Sequence, residues 1–279
     1  MPRPGPEPIE AYVDASTRFA QAVRRGDLSA AVPACPGWST YDVIVHLGNY
    51  HGWAATIVET GQRVPAHDDA PESKVAAEVA DWYAGKAEDL AAVLRGVSPQ
   101  TRCWNFTGTR LTGAFWARRQ LHETTLHLVD LDQAAGRPSE LSPVLCADGV
   151  DEVLTTMLPL MRSRGRVAPL AAPLIFRAVD HAMAWTLRAD GDESAPAVAR
   201  LKGLAALKSG GLGLFAVDAS DAPNAVNGPA GLLWQLLWRR TGRSPEDGSP
   251  VLTHPELSYD GDTKAIHAFL ESQLTPDPT

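Results

Sequence analysis

Residues 113–135 read GAFWARRQLHETTLHLVDLDQAA. Apolar positions recur in it at helical spacing, no proline interrupts it, and Gly136 and Pro138 supply a stop, so the pattern predicts one long helix from about Gly113 to Ala135. Working back along the chain, PGWSTYDVIVHLGNYHGWAATIVETG (36–61) has the same character. Ser39 or Thr40 can cap its helix, Asp42 places a negative charge in the first turn where the helix dipole favours it, and Gly61 ends it. A first helix is expected from about Glu7 to Arg25, with Ile9, Tyr12, Val13, Phe19 and Val23 available for an inner face and Gly26 as its stop. A third runs from about Glu72 to Arg95, after a polar loop from Val64 to Pro71. Four such helices with no period-2 strand among them read as a four-helix bundle. The connection from Gly96 to Thr112 is long for a hairpin, so it is expected to cross the bundle or border a site.

After Pro138 the pattern changes. A fifth helix is expected from about Leu145 to Arg162, followed by strands over 174–180 and 182–190 and a strand candidate at GLGLFAVDA (211–219). GPAGLLWQLLWRR (228–240) reads as an apolar helix, and a last helix over 262–274 is capped by Asp262. Helices mixed with strands make the second half a smaller α/β or α+β domain, so the chain divides into residues 1–138 and 139–279.

Composition narrows the function classes. With 279 residues, 44% hydrophobic and 21% charged, the chain can bury two cores. Its net charge of −8 is shared by both halves, which argues against a nucleic-acid surface. Three cysteines, Cys35, Cys103 and Cys146, build no disulfide framework, so a reducing cytoplasm is expected. There is no apolar run of signal-peptide or membrane-spanning length. The expected partners are small molecules, with no nucleic acid and no membrane; the oligomeric state is left open.

The histidines carry the chemistry. His122 and His127 frame a string similar to the zinc-protease motif but one residue too long, and about 140° around the helix separates them, so they cannot share a face. Glu123 and His127 are about 40° apart and can converge on one ion. A third ligand must come from another helix, and His46 fits, lying on the stripe Val43, His46, Tyr50, Trp53, Ile57 that should face the bundle interior. Glu123 and His127 equally fit an i,i+4 surface pair, and His46 a satisfied core histidine; a shared cation gains weight because a carboxylate on a core stripe needs a partner. His51 and His122 fall off this face, with solvent or supporting roles. Asp130 can orient a ligand or pair with a basic neighbour. Cys35 reads as a buried small hydrophobe, not a nucleophile. Trp38, Trp53 and Trp116 can wall a cavity or fill core, and Tyr50 shares the stripe.

Ala34-Cys-Pro-Gly-Trp38-Ser-Thr-Tyr-Asp42, followed by His46-Leu-Gly48 and His51-Gly-Trp53, resembles the signature of the mycothiol-dependent maleylpyruvate isomerase family. Glu123-Thr-Thr-Leu-His127-Leu-Val-Asp130 resembles that family's second motif, with Leu128 where Arg is usual. The resemblance implies a DinB-like four-helix bundle holding a divalent ion, most commonly Zn2+, on His46, Glu123 and His127. A sterol-carrier-like α/β domain would follow. Leu-Trp-Arg-Arg (237–240) stands where Leu-Trp-Gly-Arg is usual. The expected function is a metal-dependent isomerase or S-transferase with mycothiol as cosubstrate and a small electrophile as substrate. Trp38, Tyr50 and Trp53 are the candidate walls of the cosubstrate site. Arg239 or Arg240 is the candidate for binding an anionic substrate, although two arginines also suit the end of a helix. A thiol-independent zinc hydrolase and a non-catalytic binder of apolar ligands are the alternatives.

Overall fold

The structure is a computed structural model and describes residues 8–109, 111–192, 197–202, 223–244 and 246–276. It divides into two compact units, Met1–Glu140 and Leu141–Thr279, of nearly equal length.

The first unit is the four-helix bundle: α1 (Pro8–Arg25), α2 (Thr40–Thr60), α3 (Ala76–Gly96) and α4 (Gly113–Ala134). Ser39 caps α2 in a reciprocal box in which its side chain accepts from Asp42 N and Asp42 accepts from Ser39 N. Gly61 closes the helix in the left-handed conformation, φ 70°, that a side chain would resist. The third helix starts four residues later than its pattern predicts, because Ser73 Oγ accepts from Val75 N and holds the preceding residues in a turn. Tyr12, Phe19, Ile44, Leu47, Ile57, Tyr83, Leu90 and Trp116 are fully buried and form the core. Helix α1 packs on α3 and α4, and α2 packs on α3; the α2/α4 seam is the least extensive of the four. Along the expected inward stripe of α2, Val43 and Ile57 are buried, whereas His46, Tyr50 and Trp53 between them are only half-buried.

The second unit opens with α5 (Pro143–Glu152), a π turn (Val153–Met157) and α6 (Leu158–Ser163) in place of one regular helix. Pro159 accounts for the break: it has no N–H to donate and its ring would collide with the carbonyl four residues back, and the wider turn, with Leu158 N bonded to Val153 O, accommodates it. A mixed five-stranded sheet follows in the order β3-β2-β1-β4-β5, from β1 (Leu174–Ala178), β2 (Met183–Leu187), β3 (Val198–Lys202), β4 (Asn224–Gly228) and β5 (Ser258–Asp260). Only β1 and β4 run parallel. The first two strands match the expected segments. The strand candidate at 211–219 lies outside the described residues, and β3, β4 and β5 are too short and polar to stand out in the sequence. Gly228 ends β4, so the expected helix over 228–240 shortens to α7 (Ala230–Leu237). Asp262 caps α8 (Thr263–Glu271) by accepting from Lys264 N and Ala265 N.

Asp151 joins α5 to the sheet, accepting from Trp185 Nε1 at 3.2 Å and from the Arg200 guanidinium. Helix α5 also lies against α7 so closely that a Cβ on Gly149 would fall 2.5 Å from Nε1 of the fully buried Trp234. Gly149→Ala is therefore expected to destabilise the second unit by about 1–3 kcal/mol through overpacking, even though alanine is the better helix former. Chemical denaturation followed by tryptophan fluorescence measures it; an unchanged midpoint would show that the ring can move aside.

Candidate metal centre

His46 on α2 and Glu123 and His127 on α4 come together across the loosely packed seam, and one ligand atom from each lies within 4.8 Å of the other two. Glu123 Oε1 is 3.7 Å from His46 Nε2 and 3.3 Å from His127 Nε2. His127 is buried, and its Nε2 finds no hydrogen-bond partner: the 3.3 Å approach to Glu123 is out of line for one. Its other nitrogen, Nδ1, lies 2.8 Å from Asp130 Oδ2. In the neutral imidazole, a proton held on Nδ1 by that carboxylate would leave a lone pair on Nε2 aimed into the space between the three side chains, as metal-ligating histidines are commonly held. One buried imidazole, one half-buried imidazole and one carboxylate form a donor set that fits a borderline divalent ion such as Zn2+ with one position open. The openness is on the side of His46 and Glu123, whose side chains are 18% and 15% exposed, against 2% for His127.

Burial works against an ionised Glu123, but Arg119, one turn earlier, together with the two imidazoles, holds its carboxyl well below the usual range. Arg119 is itself buried, with Nη2 2.5 Å from Glu123 Oε2. For His127 burial also disfavours charge, yet Asp130 and Glu123 outweigh it and raise its pKa to about 9. Arg119, Glu123 and His127 form one i, i+4, i+8 line on α4, so Arg119 was within reach of the same spacing argument that singled out the other two.

The remaining sequence candidates divide. Trp38 and Tyr50 flank His46, with ring centroids 5.2 and 6.1 Å away. Trp53 lies farther along α2, tilted against Tyr50 at 5.5 Å between centroids, and borders a cavity with Trp104 and Phe106 of the long 96–112 connection. His51 and His122 are not at the surface: both are fully buried. His51 Nδ1 meets Gln120 Oε1 at 2.6 Å and Nε2 meets Tyr83 Oη at 3.1 Å, tying α2 to α3 and α4, and burial lowers its pKa to about 4. A solvent role for these two fails because the bundle is buried on more than one face of α2 and α4. Cys35 is buried, with Sγ 3.9 Å from Asp130 Oδ2.

Arg239 and Arg240 follow α7 in the second unit. Arg240 Nη1 donates to Trp238 O at 2.8 Å and Arg239 Nη2 to Glu271 O at 2.9 Å, so both satisfy backbone carbonyls of their own unit. Arg239 has φ 58°, the one positive φ at a non-glycine among the described residues. It occupies the position after the helix cap where glycine is favoured, which explains why the resembled motif has Gly there.

Comparisons with known proteins bear on the family resemblance and the fold. Residues 9–132 match the family described as the mycothiol maleylpyruvate isomerase N-terminal domain. The matched stretch spans most of the first unit. Two solved structures are similar in fold: the mycothiol-dependent maleylpyruvate isomerase at 13% identity and a histidine-to-alanine mutant of it at 12%. Each has a TM-score of 0.53 and covers 90% of this chain and 95% of its own. No curated protein matches the sequence.

Metal uptake at this centre must displace the proton that His127 holds below pH 9. Apparent Zn2+ affinity is expected to rise about tenfold per pH unit between pH 6.5 and 9, and Asp130→Asn to lower affinity about 10–100-fold, both by calorimetric titration of metal-stripped protein. Affinity flat across that range would mean His127 Nε2 is not the ligand. His51 has the opposite signature. Its folded pKa of about 4 lies below the ordinary 6.5, so the unfolded chain binds the extra proton and stability falls as pH drops from 6.5 toward 4. Melting temperatures across that window should fall less steeply in His51→Gln.

Proposed function

We propose that this protein is a metal-dependent enzyme that takes mycothiol as a cosubstrate and isomerises a small electrophilic substrate or transfers the thiol to it. The observation that carries the reading is the buried, partnerless Nε2 of His127 beside His46 and Glu123, in a stretch that matches the mycothiol maleylpyruvate isomerase N-terminal domain family. A divalent cation on these residues supplies positive charge that lowers the pKa of a coordinating thiol and makes its thiolate available at neutral pH.

The chain's own groups prepare that site. Arg119 keeps Glu123 ionised, so the carboxylate serves as a donor and not as an acid. Asp130 fixes the His127 tautomer. Trp38 and Tyr50 wall the open side next to His46 and give an entering thiol an apolar, partly dehydrated neighbourhood.

The reactive sulfur comes from outside the chain. Cys103 and Cys146 are pushed up to about 11 and 12 by burial, and Cys35 faces the Asp130 carboxylate, which opposes a second negative charge. The three buried thiols, none in a disulfide, suit a reducing cytoplasm. Among the described residues no helix is long and apolar enough to cross a membrane.

Metal analysis with a variant series tests the reading. Purified protein is expected to hold about one divalent ion per chain, as a catalytic site of this ligand set does. His46→Ala, Glu123→Ala and His127→Ala should lose the ion while keeping helical circular dichroism. Turnover of a reactive cis-alkene diacid should require added mycothiol. Variants that keep the metal would remove the site, and turnover independent of thiol would replace thiol addition with attack by water.

A further inference from the structure

The first unit contains a second feature that the metal centre does not use. A cavity of about 550 Å³ opens beside the C-terminal half of α2, with Trp53, Trp104 and Phe106 as its aromatic walls and Arg63, Val64, Pro65 and Ala66 completing the lining. The size suits a molecule of one or two rings. The indoles of Trp53 and Trp104 meet edge to face, 5.9 Å between centroids, and all three rings are half-exposed. Half-exposed aromatic surface of this extent retains burial energy that a bound planar molecule would release.

The walls are fixed before any ligand arrives. Trp53 Nε1 donates to Val64 O at 3.0 Å, Asn49 exchanges two 2.8 Å bonds with the backbone of Asp69, and Thr56 Oγ1 meets His67 Nε2 at 3.3 Å, so the loop after α2 is pinned along the helix. On the other side Trp104 N donates to Gly61 O at 3.1 Å and Trp104 O accepts from Trp116 Nε1 at 2.7 Å. Asn105, buried at 1% exposure, closes the next turn by donating to Thr109 O and accepting from Thr107 N. Six side chains of different helices and loops, Asn49, Trp53, Thr56, His67, Asn105 and Trp116, thus hold the segments that shape this cleft.

Its chemistry is equally selective. The guanidinium of Arg63 lies over the Trp104 ring, 5.7 Å from its centroid, and among the described residues no carboxylate pairs with it. Arg63 is the sole charged side chain in the lining, and no Asp, Glu, Asn or Gln is there to read the hydroxyls of a sugar. Three aromatic faces with one available cation complement a planar, ring-bearing molecule with a single negative charge.

We propose that this cleft binds an aromatic or similarly planar carboxylate, its ring against Trp53 and Trp104 and its carboxylate on Arg63. Trp53 lies seven residues beyond His46 on one face of α2, about 10 Å along the helix axis, with Tyr50 between them, stacked on His46 and tilted against Trp53.

Calorimetric titration with 2-naphthoate, and with uncharged 2-naphthamide as comparator, tests the cleft without any turnover. Saturable 2-naphthoate binding is expected both in the metal-loaded protein and in metal-free His127→Ala, so the outcome does not depend on the metal reading. Arg63→Gln, an exposed substitution that should not change melting, is expected to weaken 2-naphthoate at least tenfold and 2-naphthamide by less than twofold. Trp104→Ala, with its fold checked by circular dichroism, should weaken both. No saturable heat with the wild-type protein, or equal 2-naphthoate affinity in Arg63→Gln, would overturn the assignment.

Discussion

A carboxylate placed inside a helical bundle has to be compensated, and Glu123 is the group around which the first unit is arranged. Burial alone would protonate it; Arg119 on the preceding turn and two imidazoles on the following turn and the facing helix keep it charged. His127 in turn needs Asp130 behind it. The polar line from Arg119 to Asp130 thus runs along the buried face of α4 as one connected set, and removing any member would leave a charged neighbour with less than it needs. Such a line lies at the α2/α4 seam, where the helices pack least extensively. The tightly packed α1/α3/α4 side, with Tyr12, Phe19 and Tyr83, supplies the rigidity against which the seam can stay open.

The internal hydrogen bonds of His51 serve the same end from the opposite side of α2. Its two ring nitrogens engage Gln120 on α4 and Tyr83 on α3, so the helix carrying His46 is fixed in rotation by a residue pointing away from the metal ligands. One imidazole on α2 faces the site and another, five residues on, anchors the helix. Because burial holds His51 neutral well below physiological pH, that anchor does not change with ordinary variations in acidity.

Much of this was legible in the sequence for a plain reason: helix periodicity is a local property, and i,i+4 geometry converts it directly into neighbours. That is enough to bring Glu123 next to His127, to set His46 on an inward stripe, and to exclude His122 from the same face. It does not reveal what lies on the other faces of a helix packed among others, so it leaves His51 and His122 open between solvent and supporting roles, whereas both are interior. Nor does it reach loops. Trp104 and Phe106 lie in a connection whose length alone marked it as bordering a site, and only the bonds from Gly61 O and Trp116 Nε1 show which way it folds. In the second unit the π turn follows from Pro159, a residue plainly visible in the sequence, but β4 and β5 are stabilised by their pairing in the sheet and carry little signal of their own.

The string Arg119, Glu123, His127, Asp130 alternates in sign, and its charge count has a consequence for what the centre attracts. With no ion present and His127 protonated, two positive and two negative groups leave the four neutral. A divalent ion held by these residues would replace the proton on His127, so two charges would arrive while one departed, and the set would end with one positive charge in excess. The centre would therefore be nearly blind to charge when empty and anion-seeking when loaded. That asymmetry comes from four side chains on a single helix face.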